Sequence, residues 1–254
     1  MTLLLLAGLT LATPEARADS CPQVDGASIC EDAAVDPLRV RKGQVTFDSE
    51  GNDNASSRYF SRTLHWPGGA SGVTIGRGYD MKYRSGDVVK ADLLKAGVPE
   101  ETAARLASGA GLTGSAAEAF AGNNKALLLT GAQQKQLFET IYDEYEADTQ
   151  RLVCKWQGVS GAACDALWDG MDGSIQQVLV DLRYRGDLTR KRWQRWLSKP
   201  ATRNNLKRFA KVMGSARKWS KVPEDRFDRR RAFIDAAHRA DQSRPRRPRQ
   251  RLEQ

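Results

Sequence analysis

The stretch "FDSEGNDNASSRYFSRTLHWPGGASGVTIGRGYDMKYRS", residues 47–85, places one glutamate at the head of a glycine-rich run and an aspartate near its end. The β-prone residues Tyr59, Phe60, Thr63, Leu64 and Trp66 precede the turn former PGGASG, and VTIGRGYDM follows, so the pattern predicts two short strands joined by a turn. Gly68, Gly69, Gly72, Gly76 and Gly78 permit turns and let a ligand chain approach the backbone where a side chain would block it. A phosphate-binding loop does not fit, because no Gly-Lys-Ser/Thr ending follows and GRGYDM lacks the third glycine of a dinucleotide fingerprint.

Glu50 lies directly before Gly51 at the end of a short apolar segment. A half-buried carboxyl at such an edge keeps a raised pKa, as a general acid must. Asp80 closes the hairpin region and, with the hairpin folded back, faces Glu50 across a groove. Two opposed carboxyls are the minimum equipment for cutting a glycosidic bond, one protonating the leaving oxygen and the other handling water or the sugar cation. Asp48 and Asp53 are rival acids, read here as loop or capping groups. His65 and Trp66 either line the groove or enter the core, and Arg77 and Tyr79 either touch substrate or brace the turn.

Beyond Ser85 the chain reads as helical. Val88, Val89, Ala91, Leu93 and Leu94 share a side, with Ser85 as cap and Gly97 as stop, and a second short helix opens at Pro99. Thr130 caps a long helix through Val153, with Leu137, Ile141, Tyr145 and Leu152 near one face. Further helices are expected in GSIQQVLVDLRYRGD, TRKRWQRWLSKP, NNLKRFAKVMG and PEDRFDRRRAFIDAAHRA. DALWDGMDG lacks the spacing and closing Glu of a calcium loop and reads as a helix connection. Trp156, Trp168, Trp193, Trp196 and Trp219 read as core rather than as sugar platforms.

The 254 residues, 40% of them hydrophobic, suffice for one main domain. The expected division is a signal peptide over 1–18, a polar extension over 19–44, the main domain over 45–241 and a basic disordered tail over 242–254. The apolar run Leu3–Ala12 and the small-residue pattern Ala16-Arg17-Ala18 suit cleavage before Asp19. The basic stretch usual before such a run is absent, so an uncleaved anchor or an earlier start are the alternatives. Export to a periplasmic or extracellular space follows, where four cysteines in two close couples, Cys21/Cys30 and Cys154/Cys164, favour two disulfides. Local pairing is the simplest of three connectivities, and spacing does not choose among them. Neither couple has the spacing or the neighbouring His that zinc would favour, so no metal and no cofactor is expected.

Charge is uneven. Residues 183–254 hold 24 Lys and Arg against 7 acids, whereas the first 182 residues are net acidic. Such a basic half needs an anionic partner or a solvated role, and in an exported protein anionic wall polymers and lipid head groups are more natural partners than nucleic acid. Exposed helix faces with a basic tail are the plain alternative.

The segment from Glu50 to Asp80 resembles the catalytic part of the pesticin-type muramidases, bacterial toxin relatives of phage lysozymes. The match is a glutamate, some two dozen residues, and then Thr-Ile-Gly-x-Gly-x-Asp, here Thr74 to Asp80. VLVDLRYRGD (178–187) and VPEDRFDRRR (222–231) are similar to helical segments of that family, so the resemblance spans about residues 45–240. It implies an α+β, lysozyme-like fold in which a mainly helical lobe meets a small β-hairpin lobe across an active-site groove. It also implies cleavage of the β-1,4 bond between N-acetylmuramic acid and N-acetylglucosamine in peptidoglycan. Glu50 would then be the general acid, with Asp80 and Thr74 positioning water and His65, Arg77 and Tyr79 near the substrate. Inversion is expected, which requires roughly 6.5–9.5 Å between the carboxyls, against about 5 Å for retention. The expected partners are peptidoglycan strands, wall polymers and an immunity protein. The alternatives are an inactive wall-binding protein, a chitin-acting glycosidase and a nucleic-acid-binding module; an export signal argues against the last.

Overall fold

The computed structural model describes residues 38–243 and a short antiparallel pair, β1 (Gln23–Val24) with β2 (Ala27–Ser28). The signal segment, the Cys21/Cys30 couple and the tail beyond Ser243 lie outside the described residues. The chain is mostly helical with small antiparallel β elements, an α+β arrangement.

A short helix α1 (Gln44–Phe47) leads into Glu50. The hairpin is smaller than the sequence suggests, and both of its strands lie within VTIGRGYD: β3 (Thr74–Ile75) pairs with β4 (Tyr79–Asp80), Thr74 opposite Asp80. The expected first strand over 58–66 does not form. Its backbone is shared out, with Phe60 bridging Asn52, Thr63 bridging Leu128, and His65 exchanging two 2.9 Å hydrogen bonds with Thr74. The β-prone side chains there are right for extended chain, but no continuous partner runs beside them.

Helices α2 (Gly86–Lys95), α3 (Glu100–Ala107) and α4 (Gly114–Asn123) follow. Ser85 caps α2 as expected, accepting from Val88 N at 3.3 Å. Next comes the 27-residue α5 (Gly131–Gln157). Thr130 Oγ1 accepts from Gln133 N at 3.2 Å while Gln133 Oε1 accepts from Thr130 N at 2.9 Å, which satisfies two N-terminal donors at once. Gly158, at φ +72°, ends the helix in the left-handed region. The helical series continues with α6 (Ala162–Asp169), α7 (Gly173–Tyr184), α8 (Arg190–Arg192, running on as a π-helical turn Trp193–Leu197), α9 (Pro200–Arg203), α10 (Leu206–Met213) and α11 (Glu224–Ser243). Helix α11 therefore reaches two residues beyond the expected domain end. Cys154 at the end of α5 is bonded to Cys164 in α6, the local pairing.

Two apolar cores form. One gathers Leu64, Ile75, Tyr79, Met81, Leu93 and Leu106 around the hairpin and α2–α4. The other gathers Phe47, Val178, Leu182, Trp193, Phe209 and Ile234 around α7–α11. Helix α5 is their shared wall: Leu137 and Ile141 enter the first core, Phe138 and Tyr142 the second. One helix thus fixes the spacing of two lobes. Trp168, Trp193 and Trp219 are buried in the second core as expected, with Trp156 and Trp196 packed partly against it. The end of the expected extension is docked rather than free, because Leu38 and Val40 pack on this core and Arg41 and Lys42 pair with Asp143 and Glu146 of α5, each at 2.8 Å.

Candidate active site

A groove of about 1410 Å³ is lined by residues from both lobes. Leu64, His65, Trp66, Glu118 and Ala121 come from the hairpin lobe, and Phe47, Glu50, Arg185, Pro223 and Arg226 from the helical side. Glu50 reaches it because α1 ends at Phe47 and Gly51 turns the chain away. Gly51 has φ +142°, and a Cβ there would stand 2.7 Å from Ser61 Cβ. Only glycine fits beside the acid.

Glu50 Oε1 accepts a 2.5 Å hydrogen bond from Arg226 Nη1, and the carboxyl is 20% exposed. Burial raises its pKa above the ordinary glutamate value, prevailing over the charge and hydrogen bond of Arg226, which lower it; Asp181 pushes upward too. Arg226 is held from behind, its Nη2 donating to Asp181 Oδ1 at 2.6 Å. Asp181 is fully buried, and its other oxygen accepts from Arg230 Nε. Arg230 also reaches Asp187 at 3.1 Å. A chain of alternating charges therefore runs from the groove into the helical lobe, between α7 and α11.

Asp53, one of the two rival acids, is occupied otherwise. Its Oδ1 accepts from Arg62 Nε at 2.7 Å and Gln134 Nε2 at 2.8 Å, and its Oδ2 from Arg77 Nη2 at 2.5 Å. Although burial raises its pKa, the Arg62 hydrogen bond and the charges of Arg77 and Arg62 outweigh it, so the carboxyl lies below the usual aspartate value. It ties the loop to α5 through Gln134. Asp48 follows α1 as its cap and accepts from Gln44 Nε2 at 2.8 Å.

The remaining expected residues divide. His65 lines the groove; burial lowers its pKa, opposed by its hydrogen bond to the Thr63 carbonyl and by the charge of Asp80. Arg77 reaches the groove floor, but its guanidinium is committed to Asp53 and to the Phe47 and Gly51 carbonyls. Tyr79 is not near a substrate surface: it is 1% exposed, in the core, with its hydroxyl donating to Asp92 Oδ2 at 2.6 Å. Alternation in a two-residue strand turns Tyr79 inward and Asp80 outward. Thr74 is buried, and Asp80 is exposed with Oδ1 accepting from Lys82 N at 2.8 Å. Neither Thr74 nor Asp80 lines the groove, and among the described residues no hydrogen bond joins either to Glu50. Tyr145 on α5 feels the charge of both carboxyls: its hydroxyl pKa is raised by burial, lowered by Arg183, and raised again by Glu50 and Asp80.

Sequence reasoning missed Arg226 and Asp181. An aspartate inside the apolar run Val178, Leu179, Val180, Asp181, Leu182 was the available signal, because such a carboxylate must find a cation. Arg58 and Tyr59 were missed as well. The Arg58 guanidinium stands 4.5 Å from the Tyr59 ring centre, both on the groove wall, with the ring 58% exposed.

Among the described residues no three His, Cys, Asp or Glu converge as a metal site, and no helix is long and apolar enough to cross a membrane. Fold and site together define a two-lobed, mostly helical α+β domain with an elevated-pKa carboxyl in the groove. Residues 43–231 match the family described as Domain of unknown function (DUF8812), and the chain belongs to that family. No curated protein matches it.

Proposed function

We propose that the chain is a lysozyme-like glycoside hydrolase, a muramidase of peptidoglycan exported to the periplasm or beyond. The observation that carries this reading is Glu50, a groove carboxyl whose pKa burial raises although a guanidinium stands 2.5 Å away. The protonated acid donates to the leaving glycosidic oxygen. The carboxylate left behind is then stabilised by Arg226, whose position is fixed by Asp181 before the reaction begins. In this reading Asp80 and Thr74, cross-strand partners on the hairpin, position the attacking water, and His65, Trp66 and Tyr59 line the glycan path. Inversion, which needs room for a water between the two carboxyls, is the stereochemical outcome this reading expects.

A second reading has one observation in its favour: because Thr74 and Asp80 do not line the groove, the domain would bind wall glycan without cutting it. Digestion of purified peptidoglycan separates the two. New reducing ends on N-acetylmuramic acid are expected from the hydrolase. Retention on the wall without new ends would establish the binding protein, and release only from chitin would move the substrate.

A further inference from the structure

A second cavity, of about 520 Å³, opens beside the groove and is lined by Arg185, Lys191, Arg192, Arg195, Trp196 and Lys221, with Asp187 among them. Asp187 does not neutralise it. That carboxylate is buried and already accepts from Arg185, Arg192 and Arg230, which together hold its pKa down against burial, Arg185 by hydrogen bond foremost. Lys191, Arg195 and Lys221 are exposed and make no ion pair among the described residues. The π-helical turn builds the wall: Ser198 N reaches back to Trp193 O at 2.9 Å, Trp193 fills the core, and Arg195 and Trp196 line the cavity. Such wide turns cluster at functional sites. Trp196 packs edge-on to Trp219 at 5.5 Å, and the cations of Arg195 and Lys218 each lie 5.9 Å from its ring.

We propose that this cavity binds the phosphodiester groups of a polyol-phosphate polymer of the cell envelope. Several cations converging in one concavity, with arginine forks among them, suit phosphate oxygens. The cavity is larger than a lone phosphate needs and is walled on one side by a ring, so it takes phosphate together with its flanking chain. It offers a single half-buried tryptophan and no row of aromatic faces for stacked bases, unlike a single-stranded nucleic-acid channel. Arg185 lines both cavities, so a polymer held here runs to the edge of the Glu50 groove. The binding does not depend on Glu50 being catalytic.

The test is calorimetric titration of the full chain with a glycerol-phosphate oligomer, with inorganic phosphate, anionic lipid vesicles and a single-stranded oligonucleotide as parallel arms. Two triple variants accompany wild type: Lys191→Gln/Arg195→Gln/Lys221→Gln in the cavity and Lys207→Gln/Arg208→Gln/Lys211→Gln on α10, which remove equal charge from exposed positions. The expected result is saturable, salt-sensitive binding of the oligomer, weakened at least about tenfold by the cavity variant and less than about twofold by the α10 variant. Glu50→Gln should bind as wild type does, which keeps this outcome separate from the fate of the hydrolase reading. Equal loss in both triple variants would reduce the site to diffuse charge and overturn the proposal. So would phosphate, vesicles or oligonucleotide binding as tightly as the oligomer.

Discussion

Glu50 and Asp53 stand three residues apart in one loop and have opposite electrostatic fates. Glu50 has one cationic partner and loses most of its water; Asp53 has two arginines and an amide. The signs differ accordingly. A carboxyl whose folded pKa is raised binds its proton more tightly when folded, so its contribution favours folding at low pH and is lost as pH rises through the folded value. Replacing Glu50 by Gln should therefore raise Tm, by about 2–4 °C at neutral pH and by less near pH 4, in paired thermal melts. Asp53 behaves the other way: its stabilisation is present above the ordinary aspartate value and is lost as pH falls through the depressed one. Asp53→Asn should cost about 2–4 kcal/mol at pH 7 by denaturant unfolding, short of a fully buried pair because the carboxylate is 22% exposed. Which acid was which could not be read from order along the chain, since the deciding arginines, at 62, 77 and 226, are distant in sequence.

At the scale of elements, the hairpin depends on Gly78, which has φ +87° and would bring a Cβ within 2.8 Å of the Tyr184 ring. Tyr184 in turn donates to Arg77 O at 2.7 Å, clamping the turn onto α7. Gly78→Ala should destabilise by about 1–3 kcal/mol and reduce activity beyond what its stability loss explains, measured below the variant's Tm. The Cys154–Cys164 bond joins α5 to α6 across a separation of 10 residues, and replacing both cysteines by Ala should cost about 2–3 kcal/mol in chemical denaturation. Helices were the legible part of the sequence. Ser85, Thr130, Gly97 and Gly186 carry local chemistry that needs no tertiary knowledge, and all four lie at the boundaries of α2, α5 and α7 or just beyond them. The strand over 58–66 was misread because β propensity reports extended backbone, while pairing depends on a partner. Helix α1 was illegible for the opposite reason: it has four residues, too few to show a period, and is held by tertiary contacts such as the Gly43 N bond to Gln177 Oε1 at 3.0 Å.

At the scale of the molecule, the two lobes are joined through α5, and the charge chain Glu50–Arg226–Asp181–Arg230–Asp187 ties the groove to the interior of the helical lobe. Asp181 is its buried centre. Asp181→Asn leaves two buried guanidinium groups undercompensated and should cost about 3–5 kcal/mol, read by denaturant midpoint. The resemblance to muramidase helices covered both 178–187 and 222–231, but an arginine-rich helix does not advertise which arginine turns inward. Arg226 and Arg230, four apart, share the face of Ile234, whereas Arg229 and Arg231 remain outside. The basic excess of the second half is thus partly internal wiring and partly the open cavity at Trp196. Whether Glu50 is the acid that cuts glycan is decided by the rate of new reducing ends from purified peptidoglycan, wild type beside Glu50→Gln. A loss of about 10²–10⁴-fold, in a variant that melts no lower than wild type, is the predicted result. Equal rates in the two proteins, or no reducing ends from either, would contradict it.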